Sequence, residues 1–194
     1  MEDRKLWQAL KEGRRSALER IYREQIGLLL SYGSKFALNT PLLEDCIQDL
    51  FVDLWRRRRT LGDTDSIPRY LVVALRRRIV RQLERERKQG GELEERDLHF
   101  QAELNTEEEW IAREASTQQH SRLRQALEQL SARQREAIYL RYYAGMEYDD
   151  ICEIMDISYQ STRNLVAGGL KKLRGLLIAA LLILGYWWIY HSFA

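Results

Sequence analysis

A chain of 194 residues that is 45% hydrophobic and 31% charged can build one or two compact domains and is too apolar for a disordered polypeptide. Its formal net charge of +2 conceals segregation: residues 56–59 and 76–88 are strongly basic, while residues 92–114 are acidic. Only two prolines stand among abundant Leu, Arg, Glu and Ala, a composition that favours helices and an all-α fold.

The opening "MEDRKLWQALKEGRR" has no apolar signal-peptide core, so residence in the cytoplasm is expected. From there, residues 6–88 read as a first helical domain. Leu6, Trp7, Leu10, Leu18, Ile21, Tyr22, Leu28, Leu29 and Tyr32 recur at helical spacings. Thr40 before Pro41 predicts a helix start, with Thr40 as N-cap and Pro41 at the first helical position. The helix that follows carries a stripe of Leu43, Ile47, Leu50, Phe51 and Leu54. "TLGDTDSIP" breaks that pattern. "RYLVVALRRRIVRQLERERK" resumes it, apolar on one face and basic on the other.

Residues 89–120 open on paired glycines, turn acidic and read as an interdomain linker. The second domain is expected over 121–174. Ser131 with Gln134 three residues later has the pattern of a capping box, and the helix that it starts runs to Gly145. "YDDICEIMDISYQSTRNL" then predicts a short helix over 148–155, exposing Asp149, Asp150 and Glu153 and burying Ile151, Ile154 and Met155. Asp156 sits at a sharp turn, for which Asp tolerates the left-handed conformation, and Ser158 is placed to cap a second helix. This is a helix-turn-helix pattern, whose second helix enters the major groove of DNA. A plain helical hairpin would show the same spacing, but "KKLR" after it and the basic helix upstream supply two cationic elements for phosphate contacts.

Cys46 and Cys152 lack metal-ligand spacing and fall on apolar helical positions, so buried thiols in a reducing compartment are expected. His99, His120 and His191 are scattered, with no phosphate-binding loop and no nucleophile motif. No enzyme, no cofactor and no metal site is expected. The tail, residues 175–194, has no polar stripe between 176 and 190. Lys171, Lys172 and Arg174 precede it, and Tyr186, Trp187, Trp188 and Tyr190 gather at its far end, the flanks of a candidate membrane anchor. A packing or partner helix is the competing reading, because the run is shorter than the ~20 residues of a full span.

Three stretches, in this order, resemble the extracytoplasmic-function sigma factors. "LEDCIQDLFVDLW" and "SIPRYLVVALRRRIVRQLERERK" are similar to the family's second conserved region, and "LEQLSARQREAIYLRYYAGMEYDDICEIMDISYQSTRNLVAGGLKKLR" to its fourth. The resemblance implies two small helical domains and a promoter-specificity subunit whose partners are core RNA polymerase, promoter DNA and an anti-sigma factor. It implies polymerase binding at Asp45, Gln48, Asp49, Phe51, Leu54 and Trp55, although some of these apolar groups must also serve the core. It implies −10 recognition by Thr60, Asp63, Thr64 and Ser66 in the loop 60–68, with Arg69, Tyr70, Arg76, Arg77, Arg78 and Arg81 holding the separated strand. It implies −35 recognition by Ser158, Tyr159, Gln160, Ser161, Arg163 and Asn164, with Lys171, Lys172 and Arg174 on phosphates. Leu165 and Gly168 stand where the family commonly has basic residues, which points to a weaker or redirected −35 contact. A helix-turn-helix repressor or activator without polymerase docking is the alternative, but it leaves the docking helix and the basic helix without a role.

Overall fold

The computed structural model describes residues 2–36, 38–88, 100 and 126–192, and at 86–87 and 176–192 the backbone alone. Every element among them is helical. The expectation of an all-α chain therefore holds. The linker expected over 89–120 lies outside the described residues apart from Phe100.

Helix α1 (Glu2–Lys11) and helix α2 (Arg15–Gly33) are separate elements. Gly13 parts them with φ 87, a left-handed conformation that costs a side-chain-bearing residue about 1–2 kcal/mol. Trp7 and Leu10 of α1 and Ile21, Leu29 and Tyr32 of α2 are buried. Fully burying one such aliphatic or aromatic side chain contributes about 1.5–3 kcal/mol.

Helix α3 spans Thr40–Arg57. Its N-cap is Asn39 rather than the expected Thr40: the Asn39 Oδ1 accepts from Leu42 N at 3.0 Å. Asn39 is extended and its amide oxygen reaches the orphan N–H three residues on, so Thr40 is already helical and the start moves by one residue. A 3₁₀ turn (Arg58–Thr60) and the loop 61–66 lead to helix α4 (Ile67–Lys88). Leu71, Val72, Leu75, Ile79 and Leu83 of α4 close the core against α2 and α3. Phe100 adds to that unit by packing on Tyr32 and Phe36, with ring centroids 5.8 and 5.5 Å away.

The chain divides into two compact units, the first carrying α1–α4 together with residues 149–156 and the second carrying the helices on either side of that stretch. In the second unit helix α5 (Ala132–Ile138) starts with the expected capping box: Gln134 N donates to Ser131 Oγ, and Ser131 N donates to Gln134 Oε1. A π-helical segment, Tyr139–Tyr143, replaces the continuous helix expected to Gly145. There Ala144 N bonds to Tyr139 O, five residues back, and Gly145 turns the chain with φ 67. Helix α6 (Tyr148–Met155) has the expected bounds and buries Ile151, Ile154 and Met155. Helix α7 runs from Tyr159 to Ser192.

Cys46 and Cys152 are thiols, but each is half-buried where full burial was expected. Cys46 borders a shallow cavity with Asp49 and Arg85, on the rim of the α3 stripe rather than beneath it. No helix among the described residues is long and apolar enough to cross a membrane. The side chains of 176–192 lie outside the described residues, and with them the anchor expected over 175–194.

Candidate nucleic-acid and partner interfaces

Helix α3 sorts the six residues expected to face the polymerase. Asp45, Gln48 and Asp49 are exposed and Trp55 is half-buried. Phe51 and Leu54 are only 7% and 4% exposed and belong to the core. The 3.6-residue period forces that split, since 47, 50, 51 and 54 share the inward stripe. The open face extends further than sequence reasoning placed it. An apolar groove of about 580 Å³ runs between α2 and α3, walled by Leu18, Tyr22, Ile26, Leu30, Val52 and Trp55. Tyr22, Leu30 and Val52 are 47%, 37% and 38% exposed there. Tyr22 and Leu30 could have been suspected, because they lie off the buried stripe of Ile21 and Leu29.

The second surface lies between α3 and α4. Arg57, Arg77, Arg78, Arg81 and Tyr70 wall a cavity of about 290 Å³. Arg57 was not among the residues singled out from the sequence. Its position in the run 56–59 gave no sign that it alone faces this cavity. Arg77 and Arg81 are exposed; Arg76 is half-buried. Arg78 donates to the Asp53 carboxylate of α3, and that hydrogen bond holds the Asp53 carboxyl below the usual carboxylate range. Tyr70 packs on the buried Trp7 with the two rings tilted by 60° and their centroids 4.7 Å apart. Burial raises its phenol, partly offset by the Arg57 and Arg77 guanidinium groups.

The loop before α4 is tightly tied. Thr60 Oγ1 donates to Arg57 O at 3.0 Å. Thr64 is buried; its hydroxyl donates to Ser66 O at 3.0 Å and accepts from Ser66 N at 3.2 Å. Ser66 Oγ accepts from Arg69 N at 3.3 Å and so caps α4. Asp63 pairs with Lys11 at 2.5 Å, which lowers its carboxyl. Arg69 pairs with Asp65 at 2.5 Å and, within the same unit, with Asp150 at 3.0 Å and Glu153 at 3.2 Å. Asp150 is therefore half-buried rather than exposed. Asp63, Thr64 and Asp65 line a cavity of about 530 Å³ together with Arg4, Trp7 and Gln8 of α1.

The third surface is the start of α7. Asp156 has φ 54, the left-handed turn expected of it. Ser158 Oγ accepts from Ser161 N at 3.2 Å and caps the helix. Tyr159, Gln160, Ser161, Arg163 and Asn164 are all exposed, while Thr162 and Val166 turn inward. Gln160 Nε2 donates to Asn164 Oδ1 at 2.9 Å, so the two amides form one polar edge. Ala167, Lys171 and Arg174 continue that exposed edge at helical spacing. Lys172 leans the other way, donating to Gln134 Oε1 at 3.3 Å. Gly168 and Gly169 have a packing reason. A Cβ on Gly169 would lie 2.5 Å from Ile138 Cδ1, and one on Gly168 3.2 Å from Gln134 Nε2. Their cost of about 1 kcal/mol each in helix propensity lets α7 cross close to α5.

Among the described residues no His, Cys, Asp and Glu cluster could hold a metal ion. The surfaces offer guanidinium, ammonium and amide donors for phosphates and base edges, and an apolar groove for a partner.

Two family models match the chain in sequence. Sigma-70 region 2 covers residues 21–89, and Sigma-70, region 4 covers residues 120–173. The spans together exceed half the chain. Among solved structures the chain is similar to CnrH in complex with the cytosolic domain of CnrY, at 20% identity and TM-score 0.62, with 92% of this chain and 99% of that chain covered. It is similar as well to the sigma factor RpoE in complex with the anti-sigma factor NepR from Bartonella quintana. There the identity is 20% and the TM-score 0.56, over 84% of this chain and 95% of that chain. At this identity the two structures bear on the fold. A comparison with curated proteins found no match.

Proposed function

Because the chain belongs to the sigma-70 family, with regions 2 and 4 in the order of the extracytoplasmic-function type, we propose a division of its sigma-factor work among three surfaces. The chain is a promoter-specificity subunit of RNA polymerase and acts by binding; bond-making belongs to the polymerase. The α2–α3 groove, with Asp45, Gln48, Asp49 and Trp55 on its α3 side, receives an element of core polymerase. The α3–α4 cavity, with Arg57, Arg77 and Arg81, holds the separated −10 strand while the loop before α4 receives an extruded base. Capture of unpaired bases offsets the cost of opening the duplex, so this step needs no nucleotide hydrolysis. The exposed edge of α7 enters the −35 major groove, with Gln160 and Asn164 on base edges and Lys171 and Arg174 on phosphates.

The observation that carries this reading is the co-occurrence of a partner groove and a cationic cavity on the two sides of α3. A repressor with one helix-turn-helix needs neither. Run-off transcription with core polymerase tests it: the chain should direct initiation from selected promoters and be retained by core polymerase without DNA. Loss of both results would leave the repressor reading.

An anti-sigma partner is proposed because both neighbouring structures are complexes, one of them by its own description with an anti-sigma factor. A sigma factor works in the cytoplasm. Tethering to the inner membrane through residues 175–194 rests on the uncharged run and its basic flank. Cell fractionation of the full chain and of a chain ending at Arg174 decides it: equal recovery without detergent refutes the tether.

A further inference from the structure

Helix α1 precedes the matched region 2, which begins at residue 21. Asp3, Trp7 and Lys11 lie four residues apart and share one helical face. Each grips a different point of the connection between α3 and α4. Asp3 Oδ2 accepts from Ile67 N at 2.8 Å, Trp7 Nε1 donates to Gly62 O at 2.8 Å, and Lys11 Nζ donates to Asp63 Oδ1 at 2.5 Å. The first two contacts are made to backbone atoms, so they fix the path of the loop whatever its side chains do. They also bracket it, one near its start and one at its end. Trp7 is 1% exposed and its ring meets Tyr70, so one buried side chain positions both the loop and the aromatic group beside the arginines.

We propose that α1 is a positioning element for promoter reading: Asp3 and Trp7, with Lys11 as a weaker surface tie, hold the loop 61–66 and the start of α4 in the shape that receives a −10 base. The inference rests on the proposed base-reading role of that loop. A loop held at both ends loses less conformational freedom on binding, and a base fitted to one loop shape is discriminated better than a base met by many.

The test uses holoenzymes reconstituted from core polymerase and the full chain, on promoter fragments randomised across the −10 element. Trp7→Phe keeps an aromatic ring, though a smaller one, and removes the N–H; Asp3→Ala tests the loop's other tie without touching the Trp7 packing. Asp3→Ala removes the acceptor, and Asp3→Asn keeps one. Trp7→Phe and Asp3→Ala should lower discrimination among −10 bases by about fivefold, the scale of one hydrogen bond. Asp3→Asn should restore it, with core affinity and −35 preference unchanged throughout. Unchanged −10 discrimination in Trp7→Phe and Asp3→Ala overturns the inference. So does a loss spread equally over core affinity and −35 preference, which would mark α1 as mere scaffold. A fourth variant, Thr60→Ala with Asp65→Ala, tests the proposed base-reading side chains and leaves the three α1 contacts in place. If it shifts the −10 preference while the α1 variants do not, the positioning role alone fails. If it shifts nothing, the base-reading assignment fails and takes the positioning role with it.

Discussion

Asp53 on α3 accepts a hydrogen bond from Arg78 on α4, so one arginine of the basic run 76–78 is engaged inside the protein while Arg77 beside it is exposed. The helical period separates them by about 100° around α4 and gives them different work. Arg77→Ala and Arg81→Ala should each lower the slope of log affinity for open promoter DNA against log salt by about 0.7, the single-strand value per phosphate. Arg78→Ala should change that slope less and lower the melting temperature instead. Equal slopes for Arg77→Ala and Arg78→Ala would show that the Asp53 pair does not persist on DNA.

The same pair predicts a pH dependence. The Asp53 carboxyl is held below its ordinary value by the hydrogen bond from Arg78. A carboxyl depressed in the folded state contributes stability above its unfolded value, about pH 3.9, and loses it as the pH falls through the folded value. The difference in melting temperature between wild type and Asp53→Asn should be largest near neutrality and shrink in acid below about pH 4. It should be small, because solvent screens a half-exposed pair. A difference that grows in acid would contradict the assignment.

Docking should depend on the open face of α3 rather than on its stripe. Asp49→Arg should abolish holoenzyme formation and leave the helical circular-dichroism signal unchanged. Val52→Asp, in the groove beside it, should weaken core binding at least tenfold, because an ionised group would be desolvated against an apolar partner. Phe51→Ala should instead destabilise the fold by about 3–5 kcal/mol, as core truncation does. Normal assembly by Asp49→Arg and Val52→Asp, measured by gel filtration with core polymerase, would move the docking site elsewhere.

At the −35 surface, Gln160→Ala removes a base-edge amide and the hydrogen bond that orients Asn164. Selection from randomised −35 duplexes should show an altered preferred base, worth about 1–3 kcal/mol at one position. Lys171→Ala should lower affinity for all sequences alike. A uniform loss for Gln160→Ala would remove it from direct readout.

Two glycines of α2 separate propensity from packing. A Cβ on Gly27 would meet nothing within 4 Å, whereas a Cβ on Gly33 would lie 2.3 Å from Leu43 Cδ1, 3.2 Å from Cδ2 and 3.3 Å from Cγ. Gly27→Ala should raise stability by about 0.5–1 kcal/mol through helix propensity. Gly33→Ala should lower it by about 1–3 kcal/mol, since the whole buried Leu43 side chain must shift. Thermal melts of the two variants should move in opposite directions.

What the sequence determined by itself was local. Helical stripes, the Ser131–Gln134 capping box, the left-handed Asp156 and the Ser158 cap depend on residues within a few positions of one another, so the pattern contains its own cause. The motifs of regions 2 and 4 were legible for the same reason, each being a contiguous run. The Asn39 start escaped because Asn39 and Thr40 are adjacent and both can cap a helix, and the π segment at Tyr139–Tyr143 because it differs from an α-helix only in which carbonyl, five residues back instead of four, accepts the bond. The tertiary structure alone decided which functional candidates are reachable. Phe51 and Leu54 already lay on the predicted stripe, but only the fold sent Arg78 to Asp53 and Thr64 into its own loop, and made Arg57 and Val52 surface features. It alone joined Trp7 to Gly62, 55 positions apart. Such pairings follow from how helices pack against each other, and no local pattern records which side chain will stand opposite another.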